Sequence, residues 1–321
     1  MKLFYLNVLR SRTVTNPKIL QLLLSIRSLV YKILRKFEKM DVERFIDANS
    51  LPTSQTRTLS KKRIGIVIVS TNKDFEALPL TIKFAVKSVR NYELTRITII
   101  VPKQDVESCK TILIDVKEPL QILDESMFVS DVEVSRLRTN FLGRTNWVLQ
   151  QILKVVAALD SVEDGILIVD SDTLLLHNRF WLKSHGSQIL CPTEEFNKPY
   201  YDFLSSIGVC DSNPKYTFVS HHIMYQPILL REILAKLNIY DVRDLIKLSL
   251  QTDLNKSNSP LCIDYELYAQ SLVSQFPDRV FYEKWSNIAI SRRKLQQISN
   301  SKFRIFLYSK FFNSISFHSW S

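Results

Sequence analysis

The chain has 321 residues, of which 45% are hydrophobic, with five glycines and eleven prolines. This length and composition fit one large α/β domain with an appendage, or two small domains, and they exclude collagen-like and low-complexity sequence. The formal net charge is +11, and residues 1–40 carry nine Lys/Arg against one Glu, which leaves only +3 for the rest of the chain. Because the basicity is concentrated in this segment, the main domain is not expected to present a nucleic-acid-binding face.

The first predicted element is a basic amphipathic helix within residues 1–46. Asn16 can cap it and Pro17 suits its first turn, and apolar residues then recur at three- and four-residue spacing. Polar residues interrupt the apolar stretch too soon for a bilayer span. Two alternatives stay open: residues 17–39 lie on an anionic membrane surface, or they pack against protein.

A Ser/Thr-rich linker is predicted at residues 47–62, followed by one domain over residues 63–321. This domain begins with a buried strand at Ile64–Val69, a helix at about Leu78–Asn91 and a second strand at Ile97–Val101. Strand, helix and strand with short connections form a βαβ unit, which opens a parallel sheet. Neither glycine-rich phosphate-binding motif occurs, so phosphates would be neutralised by a metal and by side chains.

A further helix is predicted at Trp147–Leu159, with Asn146 as its N-cap. Its polar residues Gln150, Gln151 and Lys154 fall on faces away from the main apolar stripe. Some of them could point into a cleft, but for each one we favour a solvated helix face.

The most informative stretch is the buried strand Ile166–Val169, which ends in Asp170-Ser-Asp172. In an open α/β sheet the ligand crevice lies outside the carboxyl ends of the strands. Two carboxylates at that end can hold Mg²⁺ or Mn²⁺ and leave coordination positions for phosphate and water. His318, in a short apolar strand, could join them, because imidazole is a normal ligand of Mn²⁺. The alternative is that Asp172 caps a turn and Asp170 pairs with a local Arg or Lys.

The segment Phe218–Tyr225 reads as a strand that contains His221 and His222. Adjacent residues of a strand point to opposite faces, so at most one of the two imidazoles can reach a given pocket. Farther along, Asp264 and Glu266 are predicted to lie in the first turn of a helix. They could act as a general base or bind an acceptor, or they could simply stabilise the helix dipole.

The four cysteines have no metal-binding or redox spacing, which predicts reduced, mostly buried thiols in a cytosolic protein. They are Cys109, Cys191, Cys210 and Cys262.

Five segments together resemble GT-A glycosyltransferases, and in particular a bacterial family of uncharacterised proteins in that clan. They are IVIVSTNKDF, NWVLQQILK, ILIVDSDTLLL, FVSHHIMY and CIDYELYA, with a weaker echo at SISFHSW. The five segments span about residues 64–270 in family order. The resemblance implies a GT-A-like, mixed but mainly parallel sheet flanked by helices.

The resemblance also implies that the chain transfers a sugar from a nucleotide-diphosphate donor, foremost a UDP-sugar, to a glycan or lipid-linked acceptor. Mn²⁺ or Mg²⁺ would bridge Asp170, Asp172 and the diphosphate, with His318 as third ligand. The residues bordering the nucleotide would be Thr71, Lys73 and Asp74, and those facing the donor would be Gln151 and Lys154. Asp264, where the family often has Glu, would be the general base, with Glu266 as the alternate.

Two other functions compete with sugar transfer. An apolar strand ending in Asp-x-Asp also describes a HAD-like phosphatase, but Leu174 stands where those enzymes have Thr or Val. A non-catalytic sugar-binding or membrane scaffold protein could use the same fold. The expected location is cytoplasmic, with a peripheral membrane position as the alternative.

Overall fold

The computed structural model describes residues 62–141, 143–183, 185–251 and 261–318. The predicted N-terminal helix and all but the last residue of the predicted linker lie outside these ranges. Within them, no helix combines the length and the apolar character needed to cross a bilayer. The four cysteines are free, three of them buried and Cys210 half-buried, which confirms the expectation of mostly buried thiols.

The described residues form ten strands and ten α-helices. The strands are β1 (Arg63–Val69), β2 (Glu93–Val101), β3 (Leu120–Asp124), β4 (Gly165–Val169), β5 (Thr173–Leu175), β6 (Gln188–Leu190), β7 (His222–Tyr225), β8 (Val280–Tyr282), β9 (Asn287–Ser291) and β10 (Ser314–His318). The helices are α1 (Leu78–Ser88), α2 (Val106–Ile112), α3 (Asp131–Asn140), α4 (Thr145–Leu159), α5 (Lys198–Ser206), α6 (Pro227–Lys236), α7 (Val242–Leu250), α8 (Glu266–Gln275), α9 (Leu295–Ser299) and α10 (Lys302–Ser309).

The central sheet has five strands in the order β3-β2-β1-β4-β7. The first four are parallel, and β7 runs antiparallel to β4 along one edge. At its centre Ile66 lies opposite Ile97 on one side and Leu167 on the other. The chain is therefore an α/β protein with a mixed, mainly parallel sheet flanked by helices, as predicted.

Alternate residues of the central strands contribute to two apolar layers, one on each face of the sheet. Val67 and Ile168 pack on one side with α4 to α8, whereas Ile66 and Leu167 pack on the other side with α1 and α2. This two-sided burial explains the nearly unbroken apolar runs of β1 and β4. At the start of β4, Gly165 permits a close approach, because a Cβ there would lie 2.7 Å from Met224 Sδ.

A smaller sheet of order β5-β10-β9 extends the fold beside the Asp-Ser-Asp turn. β10 pairs antiparallel with β5 and parallel with β9, and Leu174, Ile315 and Phe317 contribute to a third apolar cluster with α9 and neighbouring residues. The backbone N–H of Phe317 donates to the carbonyl of Asp172 at 3.0 Å. The last strand thus fixes the turn that carries the two carboxylates.

Three local predictions require correction. The helix expected at Trp147–Leu159 begins at Thr145, so Asn146 lies inside its first turn and is not the N-cap. The predicted strand Phe218–Tyr225 is regular only from His222, because His221 has a left-handed backbone with φ of 62°. Asp264 precedes α8 instead of lying in its first turn.

Candidate functional site

The candidate site lies where β1 and β4, neighbours in the central sheet, reach their carboxyl ends. The loop after β1 carries Asp74, and the turn after β4 carries Asp170, Ser171 and Asp172. Ser171 Oγ donates to Asp74 Oδ2 at 2.7 Å, and the hydroxyl of Thr81 on α1 donates to the carbonyl of Ser171 at 3.0 Å. These bonds hold the two loops together, so three carboxylates converge on one edge of the sheet.

Asp170 has hydrogen-bond donors on both carboxylate oxygens. Its Oδ1 accepts from Lys154 Nζ at 2.6 Å and from the Tyr265 hydroxyl at 2.5 Å, while its Oδ2 lies 3.1 Å from His221 Nδ1. Burial opposes ionisation, but the charge of Lys154 and the bond to His221 outweigh it and lower the pKa of Asp170 far below its usual range. Asp170 is therefore an ionised, firmly oriented carboxylate.

Lys154 reaches this site from α4 and is only 2% exposed, and Gln151 on the same helix is equally buried. The favoured expectation of a solvated helix face is thus wrong for both residues. Lys154 Nζ also donates to Asp264 Oδ2 at 2.7 Å and to the Tyr265 hydroxyl at 3.1 Å. Burial lowers the pKa of Lys154, but the two carboxylates raise it more, so the amine stays charged.

The contacts of Gln151 and Glu266 are internal to the fold. Gln151 Oε1 accepts from the backbone N–H of Ile263 at 2.9 Å, which holds the segment before α8 against α4. The fully buried Glu266 accepts from the Tyr201 hydroxyl at 2.9 Å and from the backbone N–H of Phe218 at 2.5 Å. Burial raises the pKa of Glu266 to about 7. In this arrangement both side chains brace the loops around the site.

Asp172 is placed differently from Asp170, because its basic neighbours lie farther from its carboxylate. Arg292 Nη2 lies 3.5 Å and His318 Nδ1 3.9 Å from Asp172 Oδ2. Burial, together with the charges of Asp170 and Asp74, raises the pKa of Asp172 to about 6. Burial also lowers the pKa of His318, which favours the neutral imidazole that can bind a metal.

The geometry at Asp172 and His318 is compatible with one shared divalent cation. Ligand atoms of Mg²⁺ lie about 2.1 Å from the ion, so two donors can be up to about 4.2 Å apart. The 3.9 Å between Asp172 Oδ2 and His318 Nδ1 is within that limit. Oδ1 of Asp170 already accepts two hydrogen bonds, so Asp170 would bind the cation directly only through Oδ2, and otherwise it would act through water. In the part of the chain that the structure describes, no group of three or more His, Cys, Asp or Glu is arranged to hold a metal. Such a site would therefore depend on phosphate oxygens and water for its remaining ligands.

A crevice of about 840 Å³ adjoins this carboxylate cluster, at the carboxyl ends of β1, β2 and β3 and beside α3 and α4. Thr71, Lys73 and Asp74, the predicted nucleotide neighbours, all line it. Trp147 also lines the crevice and stacks on Tyr200, with ring centroids 6.4 Å apart. The hydroxyl of Thr71 is buried and has no hydrogen-bond partner among the described residues. The crevice thus combines polar groups with an aromatic wall.

The comparisons with known proteins give a family match and several matches to solved structures. Residues 61–217 match a family model described as "Family of unknown function (DUF6492)". No curated protein matches the chain. The galactosyltransferase LgtC, solved with donor and acceptor sugar analogues, is 11% identical at a TM-score of 0.46, with 79% of this chain and 86% of that chain covered.

Two more solved structures are similar at comparable levels. Mouse xyloside xylosyltransferase 1, in its apo form, is 10% identical at a TM-score of 0.42, with 80% of this chain and 98% of that chain covered. The glycosyltransferase GlyE of Streptococcus pneumoniae TIGR4, also in its apo form, is 12% identical at a TM-score of 0.38. The alignment with GlyE covers 81% of this chain and 55% of that chain.

Three residues at the site were not predicted as site residues. Arg292 donates to the carbonyl of Lys73, to Asp74 Oδ1 at 2.6 Å and to the carbonyl of Phe317 at 3.1 Å, which joins the loop after β1 to β10. Tyr265 bonds to Asp170, and His221 does so as well. The adjacent histidines were the one sequence signal for His221 at the site. His221 reaches Asp170, while His222 is buried against Trp285 at a ring-centroid distance of 4.1 Å.

Proposed function

We propose that the protein is a glycosyltransferase that uses a nucleotide-diphosphate sugar, foremost a UDP-sugar, together with Mn²⁺ or Mg²⁺. The observation that carries the proposal is the burial of the Asp172 carboxylate among other negative charges. It is a mostly buried carboxylate beside two other carboxylates, with a pKa raised to about 6 and its nearest described cationic nitrogen 3.5 Å away. A carboxylate in this position gains most from an added divalent cation.

Asp172 and His318 would hold the cation, and Asp170 would contact it through water. When bound, the cation would neutralise charge that develops on the departing diphosphate. The chain's own contribution is to fix these ligands in place. Lys154, Tyr265 and His221 orient Asp170, while the bond from Phe317 N–H to the carbonyl of Asp172 holds the turn. Such preorganised charge is a large part of the stabilisation that enzymes give to transition states.

The adjoining crevice supports the binding of a nucleotide. Its volume of about 840 Å³ lies in the range of roughly 300–1,000 Å³ that is typical of small-molecule sites. The unpartnered hydroxyl of Thr71 could bond to a ligand, and Trp147 could pack against a base or ribose. The lining has three cationic residues, Lys73, Lys103 and Arg138, and five carboxylates, so a diphosphate bound here would need the proposed cation.

For the acceptor side we keep Asp264 as the proposed general base, ahead of Glu266. Asp264 is linked to Asp170 through Lys154, whereas the carboxylate of Glu266 is engaged by Tyr201 and Phe218. To accept a proton, Asp264 must first separate from Lys154, so its role depends on a rearrangement when the acceptor binds. The proposed acceptor is a glycan or a lipid-linked glycan.

The phosphatase alternative receives less support from the same geometry. A nucleophilic aspartate needs a carboxylate oxygen that can attack phosphorus. Both oxygens of Asp170 are already engaged, by Lys154 and Tyr265 on one and His221 on the other.

The experiment that tests the proposal is thermal unfolding with Mn²⁺ and a panel of nucleoside diphosphates. Ligand at about 100 times its Kd stabilises the native state by roughly 2.7 kcal/mol, which corresponds to about 5–10 °C for a domain of this size. We expect a shift that needs metal and nucleotide together and that is lost in Asp172→Asn. The matched control is Asp202→Asn, which removes a surface carboxylate paired with Lys198.

The absence of any nucleotide-dependent shift would refute donor binding. Binding and catalysis are separated by measuring the release of nucleoside diphosphate from the sugar donor that matches the bound nucleotide. If binding occurs but no release is found with any acceptor or with water, the non-catalytic alternative is supported.

A further inference from the structure

The outer face of α10 is unusually apolar for an exposed surface. Phe303, Phe306 and Leu307 have exposed fractions of 71%, 55% and 42%, and their spacing of three and four residues puts them on one side of the helix. On the opposite side Ile305 and Tyr308 pack against the apolar cluster beneath the smaller sheet. The helix is therefore anchored by one face and presents a second apolar face outward.

The sequence around this face carries positive charge only. Residues 284–321 contain seven Lys/Arg and not one Asp or Glu. The net +3 of the chain beyond residue 40 therefore combines this basic segment with an acidic remainder. Lys302 begins α10, Lys310 follows its end, and Arg293 and Lys294 lie in the turn before α9; all four are exposed, and Lys310 Nζ lies 4.8 Å from the ring centroid of Phe306. A lysine in this position covers apolar surface with its stem and keeps its charge at the polar boundary.

The charge of this surface decides among the occupants that could cover it. A second copy of the chain on a two-fold axis would place the same basic surface against itself. An anionic bilayer is complementary in both respects, because it takes aromatic and leucine side chains at its acyl boundary and attracts Lys and Arg at its headgroups.

We propose that the outer face of α10, with its flanking basic residues, docks on an anionic lipid surface. Phe303, Phe306 and Leu307 insert at the boundary between headgroups and acyl chains, while Arg293 and Lys294 lie among the headgroups. This surface is separate from residues 17–39, for which membrane contact is an independent expectation. It adjoins the candidate site, because Arg292, next to Arg293 in the chain, turns inward to Asp74.

The first test locates the contact directly in the full-length chain. In Phe306→Trp, the introduced indole should be quenched by brominated lipids in vesicles of phosphatidylcholine and phosphatidylglycerol, measured as the excess over the four native tryptophans. Ile228→Trp is the matched control, since Ile228 is 72% exposed on α6, a helix that packs on a different apolar cluster from α10. Equal quenching of the two variants would overturn the proposal. Because the readout is local, lipid binding by another segment cannot produce the expected difference.

The second test measures partitioning by co-sedimentation with the same vesicles. Each basic residue near an anionic surface contributes about a fivefold factor, so Arg293→Gln/Lys294→Gln should weaken partitioning roughly 25-fold. The control Lys110→Gln/Lys198→Gln removes two exposed lysines elsewhere and should change little. Unchanged partitioning of the Arg293/Lys294 double variant would count against the proposal.

The apolar contribution is tested with the triple variant Phe303→Ser/Phe306→Ser/Leu307→Ser. All three side chains are exposed, so the fold should tolerate the change, and partitioning should fall at least about tenfold. A dimeric wild type that this variant converts to a monomer, without lipid quenching at position 306, would instead assign the face to a second copy of the chain.

Discussion

Replacing Lys154 with methionine shortens the side chain by one atom and removes the charge that two carboxylates share. In the native structure Lys154 Nζ lies 2.6 Å from Asp170 Oδ1 and 2.7 Å from Asp264 Oδ2. Asp170 would keep its bonds to Tyr265 and His221. The side chain of Asp264, 4% exposed, would lose its cationic partner. The loss of stability should therefore come mainly from the uncompensated charge of Asp264.

The loss in the free energy of unfolding follows from the burial of the ion pair between Lys154 and Asp264. Breaking a buried ion pair by removing one partner costs about 3–5 kcal/mol, because the remaining charge is left uncompensated. Since Asp170 retains other donors, we expect about 3 kcal/mol for Lys154→Met, or roughly 6–12 °C in Tm. Adding Asp264→Asn removes the stranded charge and should restore about 1–3 kcal/mol, as coupled neighbours do in double-mutant cycles.

Urea unfolding followed by tryptophan fluorescence measures the free energy of unfolding of the wild type, of Lys154→Met and of the double variant. Lys198→Met is the control, because Lys198 also pairs with an aspartate, Asp202, but their side chains are 64% and 50% exposed. This control variant should lose no more than about 0.5 kcal/mol of stability. A change below about 1 kcal/mol for Lys154→Met would refute the reasoning. So would a double variant no more stable than the single one, since the stranded charge of Asp264 would then not be the cause.

Three further outcomes are expected. Gly165→Ala should destabilise by about 1–3 kcal/mol in chemical denaturation, because its Cβ would lie 2.7 Å from Met224 Sδ; an unchanged midpoint would contradict the close packing. Burial raises the pKa of Glu266 from 4.5 to about 7, so its stabilising contribution is full below pH 4.5 and is lost as the pH rises to 7. The stability of the wild type relative to Glu266→Gln should therefore fall by about 3 kcal/mol over that interval, whereas a constant difference would mean that folding does not shift the pKa of this carboxyl. Thr71→Val should leave stability within about 1 kcal/mol, since the buried hydroxyl is unpartnered, but should weaken nucleotide binding by about three- to tenfold in calorimetry; unchanged affinity would exclude Thr71 from the nucleotide contact.

The central sheet could be predicted because its strands are buried on both faces. Such strands appear as continuous apolar runs, as at Ile64–Val69, and short connections then imply parallel neighbours. β5 was not recognised as a strand of its own, because Thr173–Leu175 is only three residues long. Its identity depends on pairing with β10, far along the chain, and a local pattern does not contain that information.

The site was predictable where its chemistry is local and was missed where it depends on distant contacts. Asp170 and Asp172 follow one strand and could be read together. Arg292 meets Asp74 across 218 residues, and no spacing in the sequence marks that contact. The burial of Lys154 was also missed, because a polar residue on an amphipathic helix usually faces solvent unless a partner lies opposite. That partner is Asp264, 110 residues away.

The pairing of β5 with β10 has a consequence for the order in which the molecule folds. Thr173 and Ser316 are hydrogen-bonded across 143 residues, whereas β1 and β2 are joined by a single helical connection. Long-range pairings pay their chain-closure entropy late, so the central sheet can form before β10 pairs with β5. The same pairing can open locally and separate Asp172 from His318 without unfolding that sheet. We therefore expect the amide of Ser316 to exchange with solvent faster than that of Ile168, and the proposed metal site to come apart before the fold does.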